Sequence, residues 1–117
     1  MTNREIANSW FDAFNQHNLE NLLALYDEHA EHYSPKLKAN HPETNGLIKG
    51  KAQLHKWWAE SFEKLPSLKY FPQIILVDDS RIFFEYIRKV DGQEDMIVGE
   101  LLEIEHGVII KSKVYHS

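Results

Sequence analysis

The chain has 117 residues, 43% of them hydrophobic and 12% aromatic, which is enough for one folded domain over residues 1–117 and too little for two. It has no cysteine, which excludes disulfides, zinc–thiolate sites and a thiol nucleophile, and its formal net charge of −5 argues against nucleic acid as a partner. The N-terminus lacks a signal region and no apolar run approaches the ~20 residues of a membrane span, so a cytoplasmic protein without membrane contact is expected.

Three helices are predicted before the long run of strands. Thr2 and Glu5 have the spacing of a capping box, in which each side chain binds the other residue's backbone amide, and apolar residues recur at helical intervals behind them. Asn18 is suited to begin a second helix, whose apolar residues include Tyr26. The third helix is predicted from about Lys51 to Leu65, where a wide apolar stripe precedes a proline.

A short strand is predicted between the second and third helices, at about 28–34. Alternation along this strand leaves two orientations open. Either His32 and Ser34 point toward the core, or a slip of one residue brings Glu31 and Tyr33 there instead.

Residues 35–50 predict an irregular segment, because they hold two prolines, two glycines and mostly polar neighbours. Such a long segment is unusual inside a compact domain. It is either a lid over a binding site or a surface loop, and both alternatives stay open.

Four strands are predicted in the rest of the chain, joined by turns that include Asp91-Gly92 and a three-residue loop at 105–107. They lie at about 68–78, 81–90, 95–105 and 108–116. Helices first and an antiparallel meander afterwards indicate an α+β fold, with the helices packed on one face of a curved sheet.

Alternation places the even-numbered residues of the last three strands toward the helices. The loop at 105–107 predicts a register with Glu100 opposite Ser112 and Met96 opposite His116. The odd-numbered face is also apolar, through Phe83, Ile87, Ile97, Leu101, Ile109 and Tyr115. Because no predicted helix remains to cover that face, we expect a homodimer that forms through it.

Polar residues on the inward, otherwise apolar face are the candidate site. A carboxylate at Glu100 must find a donor, take a proton or line a wet cavity. We expect Glu100 to act as general acid or base, with His32 or His116 moving the proton or polarising a carbonyl group. Tyr86 and Arg88 can steady a developing enolate.

The remaining predicted substrate-binding residues are Trp10, Phe14, Ser34, Trp57, Trp58, Phe62, Phe84, Met96 and Ser112. Each candidate also has a structural alternative: Glu100 can be a buried acid paired with Arg88, Tyr86 or His116, and the aromatic residues can be core. His29 and His32 are three residues apart, which places them on opposite faces of a strand, so no metal site is expected. No cofactor motif is present either.

Three segments resemble the nuclear-transport-factor-2-like superfamily, and within it the SnoaL-like group of polyketide-cyclase relatives. They are Trp10 to Phe14, Leu25 to Pro35, and Gly107 to His116. The resemblance covers nearly the whole chain. It implies a cone-shaped α+β barrel, with three N-terminal helices on the concave face of a curved, mostly antiparallel sheet. It also implies a pocket between helices and sheet, and frequent dimers through the sheet.

Alignment with the ketosteroid isomerases of this superfamily argues against that activity. The position of their oxyanion tyrosine falls at Trp10, that of their catalytic base at Ser34, and that of their protonated aspartate near Met96. None of these three side chains has the chemistry of its counterpart.

The sequence therefore predicts a pocket for a small apolar or carbonyl-containing ligand. One hypothesis is a cofactor-free isomerase, cyclase or lyase that works by acid–base chemistry. The alternatives are a protein that binds such a ligand without converting it, and a dimeric assembly module in which the pocket has no role. Both alternatives stay open at the level of sequence.

Overall fold

The computed structural model describes residues 1–116, which form four α-helices and six strands. The helices are α1 (Asn3–Asn15), α2 (Leu19–Leu23), α3 (Pro35–Asn40) and α4 (Lys51–Lys64), with one turn of 3-10 helix at Pro42–Thr44. The strands are β1 (Tyr26–Tyr33), β2 (Leu47–Lys49), β3 (Lys69–Val77), β4 (Arg81–Lys89), β5 (Met96–Glu105) and β6 (Val108–Tyr115). Within these residues no helix combines the length and the apolar composition needed to cross a membrane.

The strands form one curved sheet in the order β2-β1-β6-β5-β4-β3. Neighbouring strands are antiparallel, apart from β1 and β6, which run parallel. Helix α1 packs across β3 and β4, and α4 packs across β1 and β2. This arrangement confirms the predicted α+β fold, with helices on one face of a mostly antiparallel sheet.

Helix α1 begins at the predicted capping box. The Glu5 amide donates to Thr2 Oγ1 over 3.1 Å, and the Thr2 amide donates to Glu5 Oε1 over 2.8 Å. The helix that starts there turns Trp10 toward the sheet, where its side chain is buried. The second predicted cap is also present, since Asn18 Oδ1 accepts from the Asn21 amide over 3.0 Å.

Residues 35–50 are more regular than predicted. Ser34 Oγ accepts from the Lys36 amide over 3.2 Å and Pro35 occupies the first turn of α3, so the proline that suggested a loop begins a helix. Positive φ at Asn45 and Gly46 then turns the chain into β2, which pairs with β1. The prediction of an irregular segment is wrong, because α3 and β2, with six and three residues, are too short to show a hydrophobic period.

The hairpin between β5 and β6 has a two-residue loop instead of the predicted three. His106 and Gly107 have φ angles of 52° and 77°, as a type I′ turn requires, and Glu105 pairs with Val108. A bulge next to Ile104 then shifts the pairing of the two strands. The extra residue lies on β6 and has no counterpart on β5.

The shorter loop and the bulge together decide what lies opposite the candidate carboxyl group. Glu100 faces Val114, so its predicted pairing with Ser112 is wrong. The pairing of Met96 with His116 rested on the same loop and is wrong as well. Ser112 lies one inward position away from Glu100, opposite the next inward residue of β5.

Strand β1 has the first of the two orientations that the sequence left open. His32 and Ser34 are 3% and 5% exposed, whereas Glu31 and Tyr33 are half-buried. The strand begins at Tyr26, which was predicted to be helical and is a buried residue of the sheet.

The face of the sheet opposite the helices carries exposed apolar side chains. Within residues 1–116 they include Phe71, Ile74, Leu76, Ile97 and Tyr115. Phe83, Ile87 and Leu101 are half-buried on this face, as their odd numbers predict. Ile109 is fully buried, contrary to prediction, because the bulge reverses the alternation on its side of β6.

Candidate functional site

A cavity of about 340 Å³ lies between the helices and the sheet. Its size falls in the range of about 300–1,000 Å³ that is usual for small-molecule sites. Most of the predicted site residues line it: Trp10, Phe14, His32, Ser34, Trp57, Trp58, Tyr86, Arg88, Glu100 and His116. They come from helices and strands at both ends of the chain, which the fold brings together.

Four predicted residues do not line the cavity: Phe62, Phe84, Met96 and Ser112. The two phenylalanines are covered by aromatic rings of α1, at centroid distances of 5.1 Å from Phe62 to Phe14 and 4.8 Å from Phe84 to Trp10. Met96 begins β5 and packs, partly buried, against the core. Ser112 lies behind His32 and contacts it.

Tyr70 of β3 lines the cavity and was not predicted. Its ring stacks on Phe14 and on Tyr86, at centroid distances of 4.0 Å and 4.1 Å. Its pairing with Arg88 puts it on the inward face. The alternation of β3 is hard to follow in the sequence because the strand contains a proline and a register shift at residues 72–74.

Glu100 contributes a buried carboxyl group to the cavity. The Tyr86 hydroxyl donates to Glu100 Oε1 over 2.9 Å, and Oε2 has no hydrogen-bond partner among residues 1–116. Burial raises the pKa of Glu100 to about 7, against a smaller opposite effect of the hydrogen bond from Tyr86. The carboxyl group therefore exchanges its proton near neutral pH, and Oε2 is the oxygen left for a ligand.

The two phenols beside Glu100 remain neutral. Burial, and next the negative charge of Glu100, raise the pKa of Tyr70 and of Tyr86. Neither phenol competes as a base near neutral pH. Tyr86 therefore keeps its proton for the hydrogen bond to Glu100.

His32 is held in the cavity by Ser112. Its Nδ1 lies 2.6 Å from Ser112 Oγ, and its ring packs against Trp58 with a centroid distance of 5.3 Å. Burial lowers the pKa of His32 to about 4, so the imidazole is neutral at physiological pH. A neutral imidazole can donate a hydrogen bond from one ring nitrogen and accept one at the other.

Tyr26 connects His32 to helix α1 and was not predicted as a site residue. The Trp10 indole donates to the Tyr26 oxygen over 3.0 Å, and the Tyr26 hydroxyl interacts with Ser112. Because the indole can only donate, the Tyr26 proton is available to Ser112, and we assign Ser112 as the donor to His32 Nδ1. The imidazole proton is then on Nε2, the nitrogen left for a ligand. The sequence did not reveal Tyr26 as a site residue because its spacing from the leucines of α2 also fits a helix.

Basic side chains line the cavity as well. Arg88 is 7% exposed, and its Nη1 donates to the side-chain oxygen of Gln93 over 3.0 Å. Lys36 of α3 and Lys64 of α4 also line the cavity. His116 follows the last residue of β6 and is half-buried there.

The cavity offers groups that exchange protons and form hydrogen bonds. Within the part of the chain that the structure describes, no three His, Asp or Glu side chains lie close enough together to hold a metal ion. The cavity contains a carboxyl group that changes charge near neutral pH, a neutral imidazole and neutral phenols. Aromatic side chains line the rest of it. Such a set can bind a carbonyl compound or move a proton on it.

Comparison with known proteins shows the family. The SnoaL-like domain family matches residues 7–111, and the chain belongs to that family. The match confirms the resemblance found in the sequence. Among curated proteins there is no match to this chain.

Solved structures share the fold at low sequence identity. A SnoaL-like protein of unknown function from Burkholderia thailandensis has a TM-score of 0.87 at 22% identity, covering 97% of this chain and 92% of that chain. A protein from Sinorhizobium meliloti, provisionally named a polyketide cyclase, has a TM-score of 0.80 at 15% identity, with 95% and 94% covered. TerC, co-crystallised with polyporic acid, has a TM-score of 0.84 at 15% identity, with 98% and 91% covered. At these identities the likeness shows the fold alone.

The two shifted pKa values predict opposite effects of pH on stability. Glu100 binds a proton more tightly in the folded state, so it lowers the free energy of unfolding as the pH rises from about 4.5 to about 7. His32 binds a proton less tightly in the folded state, so it raises that free energy as the pH rises from about 4 to about 6.5. Each slope is about 1.4 kcal/mol per pH unit, and the two offset one another where they overlap.

Glu100→Gln is expected to reveal the slope that His32 contributes. In urea titrations, the free energy of unfolding of Glu100→Gln should rise relative to wild type by about 1.4 kcal/mol per pH unit between pH 4.5 and 7. Glu103→Gln changes a carboxylate on the outer side of the same strand and is the control, which should follow wild type. A Glu100→Gln profile parallel to that of wild type would contradict the raised pKa of Glu100.

Proposed function

We propose that the protein binds a small, mostly apolar carbonyl compound in the cavity and moves a proton on it without a cofactor, as an isomerase, cyclase or lyase does. Glu100 is the observation that carries this proposal. It is a buried carboxyl group whose pKa is raised to about 7 and whose Oε2 has no hydrogen-bond partner among residues 1–116. A general acid or base is most effective when its pKa lies near the working pH.

In this proposal Glu100 and His32 contact the same bound molecule. His32 pairs with Ser112 on β6, and Ser112 pairs with Leu102, one inward position from Glu100 along β5. Two strand spacings and two residues therefore separate the backbones of Glu100 and His32 by about 12 Å. Both side chains line the cavity, so a small molecule of about that length can contact the carboxyl group and the imidazole together.

The proposed reaction begins with proton abstraction. Glu100 Oε2 takes a proton from the carbon next to the carbonyl group; the electron pair of the C–H bond forms a carbon–carbon double bond, and the π pair of the carbonyl group moves to its oxygen. His32 Nε2 donates a hydrogen bond to that oxygen as negative charge develops. Return of the proton at another carbon completes an isomerisation, and departure of a leaving group completes an elimination. Tyr86 holds Oε1 and leaves Oε2 for the transfer.

The aromatic wall supports an apolar ligand. Trp10, Trp57 and Trp58 line the cavity together with Tyr70 and Phe14, and flat apolar surfaces of this kind bind ring systems. The fold neighbour TerC was co-crystallised with polyporic acid. The same wall favours a second candidate function, in which the protein holds such a ligand without converting it.

Glu100→Gln separates the two functions. A ligand is first identified by the shift of the thermal unfolding midpoint with cyclic ketones, lactones, terpenoids and phenolic acids, at pH 6 and pH 8. For an enzyme, Glu100→Gln should lower the turnover of that compound by about 100- to 10,000-fold while its Kd changes little, because the proton acceptor is lost and the cavity keeps its shape. Glu103→Gln should keep the wild-type turnover.

Each other result has a definite meaning. Unchanged turnover in Glu100→Gln would contradict its role as acid or base. Binding without turnover by the wild-type protein would favour the second candidate function. If none of these compounds stabilises the protein, a function of the outer face of the sheet is favoured over a function of the cavity.

We also propose that two copies of the chain associate through that outer face. Ile97 and Leu76 are 66% and 60% exposed, and Tyr115 is exposed on the same face. Contiguous exposed apolar side chains of this kind are typical of interfaces. Glu85 pairs with Ile74 and Lys113 with Leu101 on this face, so it carries both signs of charge, which a second copy related by a two-fold axis can match.

Light scattering at micromolar concentration is expected to give twice the 13.8 kDa mass of one chain. Ile97→Lys should give the mass of a single chain, because association would bury an unpaired charge. Ala52→Lys places the same charge at an exposed position of α4, on the helix side of the sheet, and is the control, which should remain a dimer. A single-chain mass for the wild-type protein would contradict the dimer.

A further inference from the structure

Arg88 is a buried cation without an anionic partner among the described residues. Its side chain is 7% exposed and lines the cavity, and its Nη1 donates to the neutral side chain of Gln93 over 3.0 Å. No carboxylate of residues 1–116 forms an ion pair with its guanidinium. A buried charge without a counterion is costly to keep, and a ligand that supplies the counterion would remove that cost.

The charges around the cavity favour an anion. Lys36 and Lys64 line it together with Arg88, and the acidic groups that line it are Glu60 and Glu100. Glu60 binds Lys64 over 2.9 Å, and the carboxyl group of Glu100 lies on the inward face of β5 with Tyr86 as its donor. With the Glu60–Lys64 pair neutral, Lys36 and Arg88 remain against Glu100 alone, so the lining carries a small excess of positive charge in a chain whose formal net charge is −5, and such an excess attracts anions.

We propose that the ligand of this cavity is a carboxylic acid whose carboxylate binds Arg88. This inference rests on the proposed function and names its substrate class: an apolar molecule with a carboxylate at one end and the carbonyl group at the end near Glu100. A guanidinium offers parallel N–H donors that match both oxygens of a carboxylate. A neutral amide or ester uses that geometry less completely and supplies no charge.

The register of the sheet sets the length of such a molecule. Arg88 pairs with Met96, and Glu100 lies four residues further along β5, so the backbones of Arg88 and Glu100 are about 14 Å apart. Tyr86 and Val98 pair on the inward face between them and line the cavity. The side chains of Arg88 and Glu100 extend toward one another, so the distance between their polar ends is shorter. An acid of one ring and a few carbons spans that distance, with its apolar part against Tyr86 and Val98.

The test compares 3-(4-acetylphenyl)propanoate, which carries a ketone and a carboxylate on opposite sides of an aromatic ring, with its neutral primary amide. By isothermal titration calorimetry at pH 7.5 and low salt, wild-type protein should bind the carboxylate at least about tenfold more tightly than the amide. Arg88→Met should bind both probes with the affinity that wild type has for the amide, and Arg88→Lys should keep part of the preference. Arg81→Met removes an exposed arginine of the same strand and should keep the full preference.

Three results would overturn the inference. Equal affinities of wild type for the two probes would overturn it, since the carboxylate would then add nothing to binding. The proposed function would still stand, because a neutral carbonyl compound could be the ligand. A preference for the carboxylate that survives in Arg88→Met would show that another cation binds it. Failure of both probes to bind wild type would exclude this class of ligand.

The turnover of Glu100→Gln with the wider set of carbonyl compounds tests the proposed function separately. The comparison of the two probes on wild type needs no variant and holds even where Arg88→Met does not fold.

Discussion

The burial of the Glu100 carboxyl group is the interaction on which the rest of the site depends. Glu100 is buried on the inward face of the sheet, and Tyr86 donates the hydrogen bond that orients its carboxyl group. Burial penalises the charged forms of these two groups, which raises the pKa of Glu100 and lowers that of His32. Glu100 can therefore gain and lose a proton near neutral pH, while His32 stays neutral and forms hydrogen bonds through its ring nitrogens.

The register of the sheet keeps the acid and the imidazole apart. With the hairpin loop that the sequence suggested, Ser112 would lie opposite Glu100 and could satisfy its carboxyl group. The two-residue loop and the bulge each shift the register by one residue, and together they move Ser112 one inward step away, where its hydroxyl lies 2.6 Å from His32 Nδ1. Val114 then lies opposite Glu100, whose Oε2 has no hydrogen-bond partner among residues 1–116.

Sequence signals that act over a few residues predicted much of this fold. The capping box of α1, the apolar stripe of α4 and the alternation of β4 and β5 lie where the sequence placed them, and that alternation brought Glu100 to the inward face. The errors arise where distant packing decides. Helix α3 and strand β2 are too short to show a period, Tyr26 fits a helical and a strand pattern equally, and the bulge has no signature in the residues around it. Alternation assigned Phe84 to the correct face, but only packing shows that Trp10 covers it.

The central claim is that burial makes Glu100 a proton-exchanging group near neutral pH. The most direct test is an NMR titration of protein labelled with carbon-13 at the glutamate side-chain carboxyl carbons, in which the resonance that is lost in Glu100→Gln identifies Glu100. We expect its titration midpoint at about pH 7. A midpoint near 4.5, the ordinary value for glutamate, would contradict the account, because Glu100 would then be a fully charged and weak base at physiological pH.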